Sequence, residues 1–125
     1  MTKQIINTDK APQSPAYSQA VKTAGLIFVS GQGPFDPVTG DVVGTTIQEH
    51  TRQCLKNVQT ILEAAGSSLE KIVIATFILA EPEDFAGLNE EWMKWFPKDP
   101  PARQGAKLPI QAKGMKVSIA VIAEA

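Results

Sequence analysis

Apolar residues recur at helical spacing through Ile47, Cys54, Leu55, Val58, Ile61, Leu62 and Ala65. Thr46, with Glu49 three residues on, is a capping-box signature ahead of this stripe, and Gly66 stops it, so the pattern predicts a helix from Thr46 to Gly66. Leu69 to Ala80 carries a nearly continuous apolar run, Ile72 to Leu79, which suits a strand covered on both faces in the middle of a sheet. Pro82 followed by Glu83 and Asp84 suits a first helical turn, after which Phe85, Leu88, Trp92, Trp95 and Phe96 follow until Pro97. Lys3 to Asn7 reads as a short opening strand. Gln19 to Thr23 and Leu26 to Ser30 flank Ala24-Gly25 and read as a hairpin, while Ala102 to Lys107 and Met115 to Ala123 read as two closing strands. Turn residues crowd Asp36 to Asp41. The predicted order is βββαβαββ: an α+β fold with one six-stranded mixed sheet and two helices on one face. The other face then needs cover, which predicts self-association.

A chain of 125 residues with 43% hydrophobic content predicts one domain, residues 1–125. The net charge of −1 and the lack of a lysine or arginine run make nucleic acid a poor partner. No leader-like N-terminus and no apolar stretch of about 18 residues is present, so the expectation is a cytoplasmic protein without a membrane span. One cysteine, Cys54, and one histidine, His50, offer no disulfide and no ligand cluster, so no metal site is expected. Cys54 lies on the apolar stripe and reads as a buried structural thiol. His50, at the stripe's edge without an acidic or cysteine partner, reads as a helix-surface residue. The aromatic residues of the second helix read as core or as a contact between subunits, and Asn89 is the polar exception one turn ahead of Trp92.

The tail changes the picture more than composition does. Arg103 is one of two arginines, follows Pro100-Pro101-Ala102, and has no acidic residue between Asp99 and Glu124. A guanidinium presents a planar fork of donors that matches a carboxylate in two parallel hydrogen bonds. An arginine without a local counter-charge is a seat for a small anion, and an ordinary surface arginine is the plain alternative.

Ala16-Tyr17-Ser18-Gln19-Ala20, Phe28-Val29-Ser30-Gly31-Gln32, Asp36-Pro37-Val38-Thr39-Gly40, Asn57-Val58, Asn89 and Pro101-Ala102-Arg103 appear in this order. Together they resemble the RidA (YjgF, L-PSP) family over essentially the whole chain. The resemblance implies a chorismate-mutase-like fold, a homotrimer with small-molecule clefts between subunits, and hydrolysis of reactive 2-imino acids to 2-keto acids and ammonia. It implies no cofactor and a small 2-imino or 2-keto carboxylate as partner. Position by position, it implies that Arg103 clamps the substrate carboxylate. Tyr17 borders the cleft, and Ser30 and Gly31 form the strand end beside it. Asn89 and Trp92 match helix positions near it, with Trp92 in place of a tyrosine or similar residue. Gln104-Gly105 stands where many members carry a small residue and then cysteine, which puts Gly105 at the substrate-binding strand.

The last strand departs from the family. Counting without gaps from Arg103, Ser118 falls where deaminating members carry a glutamate that orients the attacking water, and Ala120 is no acid either. Glu124, six residues on, lies about 20 Å away along a strand and cannot substitute. Ser118 can position water but cannot take up a proton at neutral pH. The leading expectation is an imine deaminase with reduced or altered turnover. The alternatives are a non-catalytic carboxylate-binding protein of the same fold, an endoribonuclease or translation inhibitor, and a stress-related holdase.

Overall fold

The computed structural model describes residues 2–109 and 112–125. The capping box is complete: Thr46 Oγ1 accepts from the Glu49 amide and Glu49 Oε1 accepts from the Thr46 amide, each at 3.1 Å. These bonds satisfy donors that the first helical turn leaves without partners. Helix α1 spans Ile47–Ala64, and Gly66 follows at φ 82°, a left-handed turn that glycine adopts without steric cost. Its stripe is buried, with Leu55, Val58, Ile61 and Leu62 each at 0% exposure. Burial stabilises each such side chain by about 1.5–3 kcal/mol.

Strands β1 (Gln4–Ile6), β2 (Ala20–Thr23), β3 (Leu26–Gln32), β4 (Ile72–Leu79), β5 (Ala102–Lys107) and β6 (Val117–Glu124) form one sheet, ordered β1-β2-β3-β6-β4-β5. Only β4 and β5 run parallel, and helix α2 (Phe85–Trp95) makes the crossover between them. The βββαβαββ order and the mixed sheet therefore stand as expected. Ile27, Val29, Ala75, Phe77, Val117, Ile119 and Val121 are buried on the face that carries the helices. Between them, Phe28, Thr76, Ile78, Ser118, Ala120 and Ile122 point to the opposite face, half-buried or exposed. Phe28, in the middle of β3, is 39% exposed.

Strand β4 coincides with the expected apolar run, Ile72 to Leu79, and is preceded by a 3-10 turn, Leu69–Lys71, whose Leu69 carbonyl accepts from the Ile72 amide. Two readings need correction. Pro82–Asp84 is likewise a 3-10 turn, and α2 begins at Phe85. His50 is not a surface residue but is 2% exposed. Its Nε2 donates to the Gly44 carbonyl at 3.0 Å and its Nδ1 accepts from the Lys116 amide at 3.2 Å. The loop ahead of α1 and the approach to β6 close over the ring, which helical spacing alone does not reveal.

Candidate functional site

The parallel register sets Arg103 beside Ala75 and Gly105 beside Phe77, so both point to the helix face at the sheet's β5 edge. The guanidinium carbon lies 5.0 Å from the Phe77 ring centroid, 5.6 Å from Phe85 and 5.2 Å from Trp92. Ring faces attract the cation while its in-plane N–H donors stay free for another partner. Burial lowers the arginine's pKa from its usual value, yet a guanidinium stays charged at neutral pH. Among the described residues no carboxylate comes within 4.0 Å of it. Arg103 joins Asn89, Trp92, Met93, Phe96, Pro100 and Pro101 around a hollow of about 400 Å³. A β-carbon at position 105 would fall within the Phe77 ring's own volume. Gly105 and Phe77 thus share one space.

A second cluster forms on the other face. Val29 pairs with Val121 and Gln32 with Ile119, so Ser30 and Gly31 together stand opposite Ala120 in a β-bulge. Ser30 Oγ donates to the Ser18 carbonyl at 2.7 Å, which brings exposed Tyr17 to the bulge's neighbourhood. A β-carbon at Gly31 would sit 3.0 Å from Ser118 Oγ. Two buried amides hold this cluster's loops. Gln19 donates to the carbonyls of Ala11 and Pro12 and accepts from the Thr8 amide, while Asn57 donates to the carbonyls of Gly33 and Phe35.

The expected site residues are therefore divided. Arg103, Gly105, Asn89 and Trp92 gather on the helix side of the β5 edge. Ser118 pairs with Ile78, which alternates with buried Phe77 and Leu79, and it lies with Ser30 and Gly31 on the open face. One protomer does not bring the two clusters together. Sequence reasoning missed Phe77 and Phe85 as walls around Arg103. Phe77 hides in a uniformly apolar run, and only the β4–β5 register shows that it leans on the tail.

Burial pushes the Cys54 thiol's pKa up, and the group donates weakly to the Val117 carbonyl at 3.5 Å, so it is no nucleophile. Among the described residues no three His, Cys, Asp or Glu side chains gather as a metal site. No helix among them is long and apolar enough to cross a membrane.

Residues 8–125 match the family model described as endoribonuclease L-PSP. The chain is 41% identical to reactive intermediate deaminase A, chloroplastic, of Arabidopsis thaliana, over 89% of this chain and 62% of that one. It is 38% identical to the 2-iminobutanoate/2-iminopropanoate deaminase of Rattus norvegicus, covering 97% and 89%. The crystal structure of E. coli TdcF with bound serine superposes with a TM-score of 0.90 at 32% identity, over 98% of each chain.

Proposed function

Because the chain belongs to the endoribonuclease L-PSP family, which includes RidA, we propose that it hydrolyses reactive 2-imino carboxylates to 2-keto acids and ammonium. The observation that carries this reading is Arg103: a cation held by three rings, with free in-plane donors and, among the described residues, no carboxylate within 4.0 Å. The guanidinium takes the substrate carboxylate in two parallel hydrogen bonds, in a partly desolvated seat where that attraction is stronger than in water. Holding the carboxylate fixes the neighbouring imine carbon. A protonated imine is already electrophilic, so orientation of substrate and water supplies much of the rate. Water adds to the carbon, its oxygen becomes the keto oxygen, and the nitrogen leaves as ammonium after the surplus protons move to it.

Ser118 and the backbone of the Ser30–Gly31 bulge supply hydrogen-bonding groups for that water on the open face. These groups meet Arg103 only if the β5 edge of one copy abuts the open face of another. We read the apolar open face as the surface so covered, in a homotrimer whose clefts lie between subunits. Without a glutamate at position 118, general-base assistance of about 10²–10⁴-fold is forgone. TdcF was crystallised with serine, an amino acid whose carboxylate matches the class of anion that this seat suits.

An amino-acid oxidase coupled to keto-acid detection tests the reading. The protein accelerates keto-acid release above the spontaneous rate, and Arg103→Ala removes about 100-fold or more of that acceleration. Ser118 favours a second reading, a carboxylate-binding protein without turnover; ligand binding with no acceleration would select it. The ribonuclease reading draws no support from His50, which is buried with both ring nitrogens engaged.

A further inference from the structure

The hollow beside Arg103 has walls unlike those needed for the smallest imino acids. Trp92, Met93, Phe96, Pro100 and Pro101 are apolar, Asn89 gives one amide, and Arg103 gives the only charge. Phe77 and Phe85 extend the apolar surface on the guanidinium's other sides. A volume of about 400 Å³ lies within the range of small-molecule sites, which are mostly apolar with a few convergent polar groups. The methyl or ethyl side chain of pyruvate or 2-oxobutanoate would leave most of that wall wet. A branched or aromatic side chain of about four to seven carbons would cover much more of it.

We infer that this hollow makes the chain selective for 2-imino and 2-keto monocarboxylates with bulky apolar side chains, branched or aromatic. This rests on Arg103 as the carboxylate seat in the proposed deaminase reading and adds the substrate class. The carboxylate sits on the guanidinium, and the side chain lies along Trp92, Met93 and Phe96. Met93 is suited to this contact, being 63% exposed with a flexible, polarisable thioether. The same walls exclude a second carboxylate. With Arg103 already engaged, none of the other residues lining the hollow is cationic, and a dicarboxylate would bring an unpaired charge against apolar surface.

Calorimetric titration with pyruvate, 2-oxobutanoate, 4-methyl-2-oxopentanoate, phenylpyruvate and 2-oxoglutarate reads the order directly, because keto acids bind without reacting. One well-buried methylene is worth roughly tenfold or more in such discrimination. The two bulky monocarboxylates bind at least about tenfold tighter than pyruvate, and 2-oxoglutarate binds most weakly. Met93→Asp narrows the ratio of phenylpyruvate to pyruvate affinity; its exposure lets the substitution be made without opening the core. Equal affinities, or tighter binding of pyruvate, would overturn the selectivity and leave the carboxylate seat intact. Loss of all binding on Arg103→Ala confirms the seat on which the selectivity rests. No binding of any keto acid to the unaltered protein would overturn both, and a ratio unmoved by Met93→Asp would overturn the placement of the side chain.

Discussion

At the scale of single residues, Phe77 and Gly105 behave as one unit. The ring occupies the space that a side chain at 105 would need, and that ring is one of three around Arg103. Gly105→Cys therefore forces Phe77 aside and destabilises the protein by about 1–3 kcal/mol, measured by denaturant unfolding. Adding Phe77→Val makes room and recovers most of that loss, with a coupling energy of about 0.5–3 kcal/mol in the double-mutant cycle. Strict additivity of the two substitutions would refute the shared space. Arg103 itself was legible in the sequence, because its lack of neighbouring acids is a local fact. Its ring cage was not, because Phe77, Phe85 and Trp92 reach it only through strand register and helix packing.

At the scale of elements, α1 and α2 are tied by a buried carboxylate. Glu91 Oε1 and Oε2 accept from Arg52 at 3.2 Å, and Oε2 also accepts from Trp95 Nε1 at 2.9 Å. Burial pushes the Glu91 pKa up, but the hydrogen bonds from Arg52 and Trp95 and the charges of Arg52 and Lys94 outweigh it, so the net shift is downward from 4.5. A depressed folded-state pKa means that the unfolded chain binds the proton more readily. The stability this gives is complete above pH 4.5 and is lost as pH falls through the lower folded value. Glu91→Gln should cost about 1–2 kcal/mol at pH 7 and flatten the fall in melting temperature below pH 4.5. Parallel melting curves for the two proteins across pH 3–7 would contradict this account. Helix α1 was legible because its cap, stripe and glycine stop are contiguous in the chain. The Arg52–Glu91 pair, 39 residues apart, carries no such pattern.

At the scale of the whole molecule, the candidate site is two half-sites on opposite faces of one sheet. The motif order named Arg103, Ser118 and the residues around them but not Phe77 or Phe85, and the division between faces follows from the alternation of β4 and β6, which the loosely patterned final strand barely signals. If neighbouring copies complete the site, two inactive variants should rescue each other. Arg103→Ala mixed with Gly31→Trp, unfolded and refolded at equal amounts, should regain about a quarter of the wild-type activity, since random assembly pairs intact halves at that frequency. Activity no greater than that of the separate variants would place the complete site within one chain.

The division also limits how copies can be arranged. Under two-fold symmetry the same surface of both partners meets across the axis, so patches on opposite faces of a sheet cannot both be satisfied by one neighbour. Contact between the β5 edge of one copy and the open face of the next is head-to-tail. Such contacts either close as a ring of at least three copies or continue as a filament. A closed ring built this way has as many complete sites as copies, and each copy serves two of them.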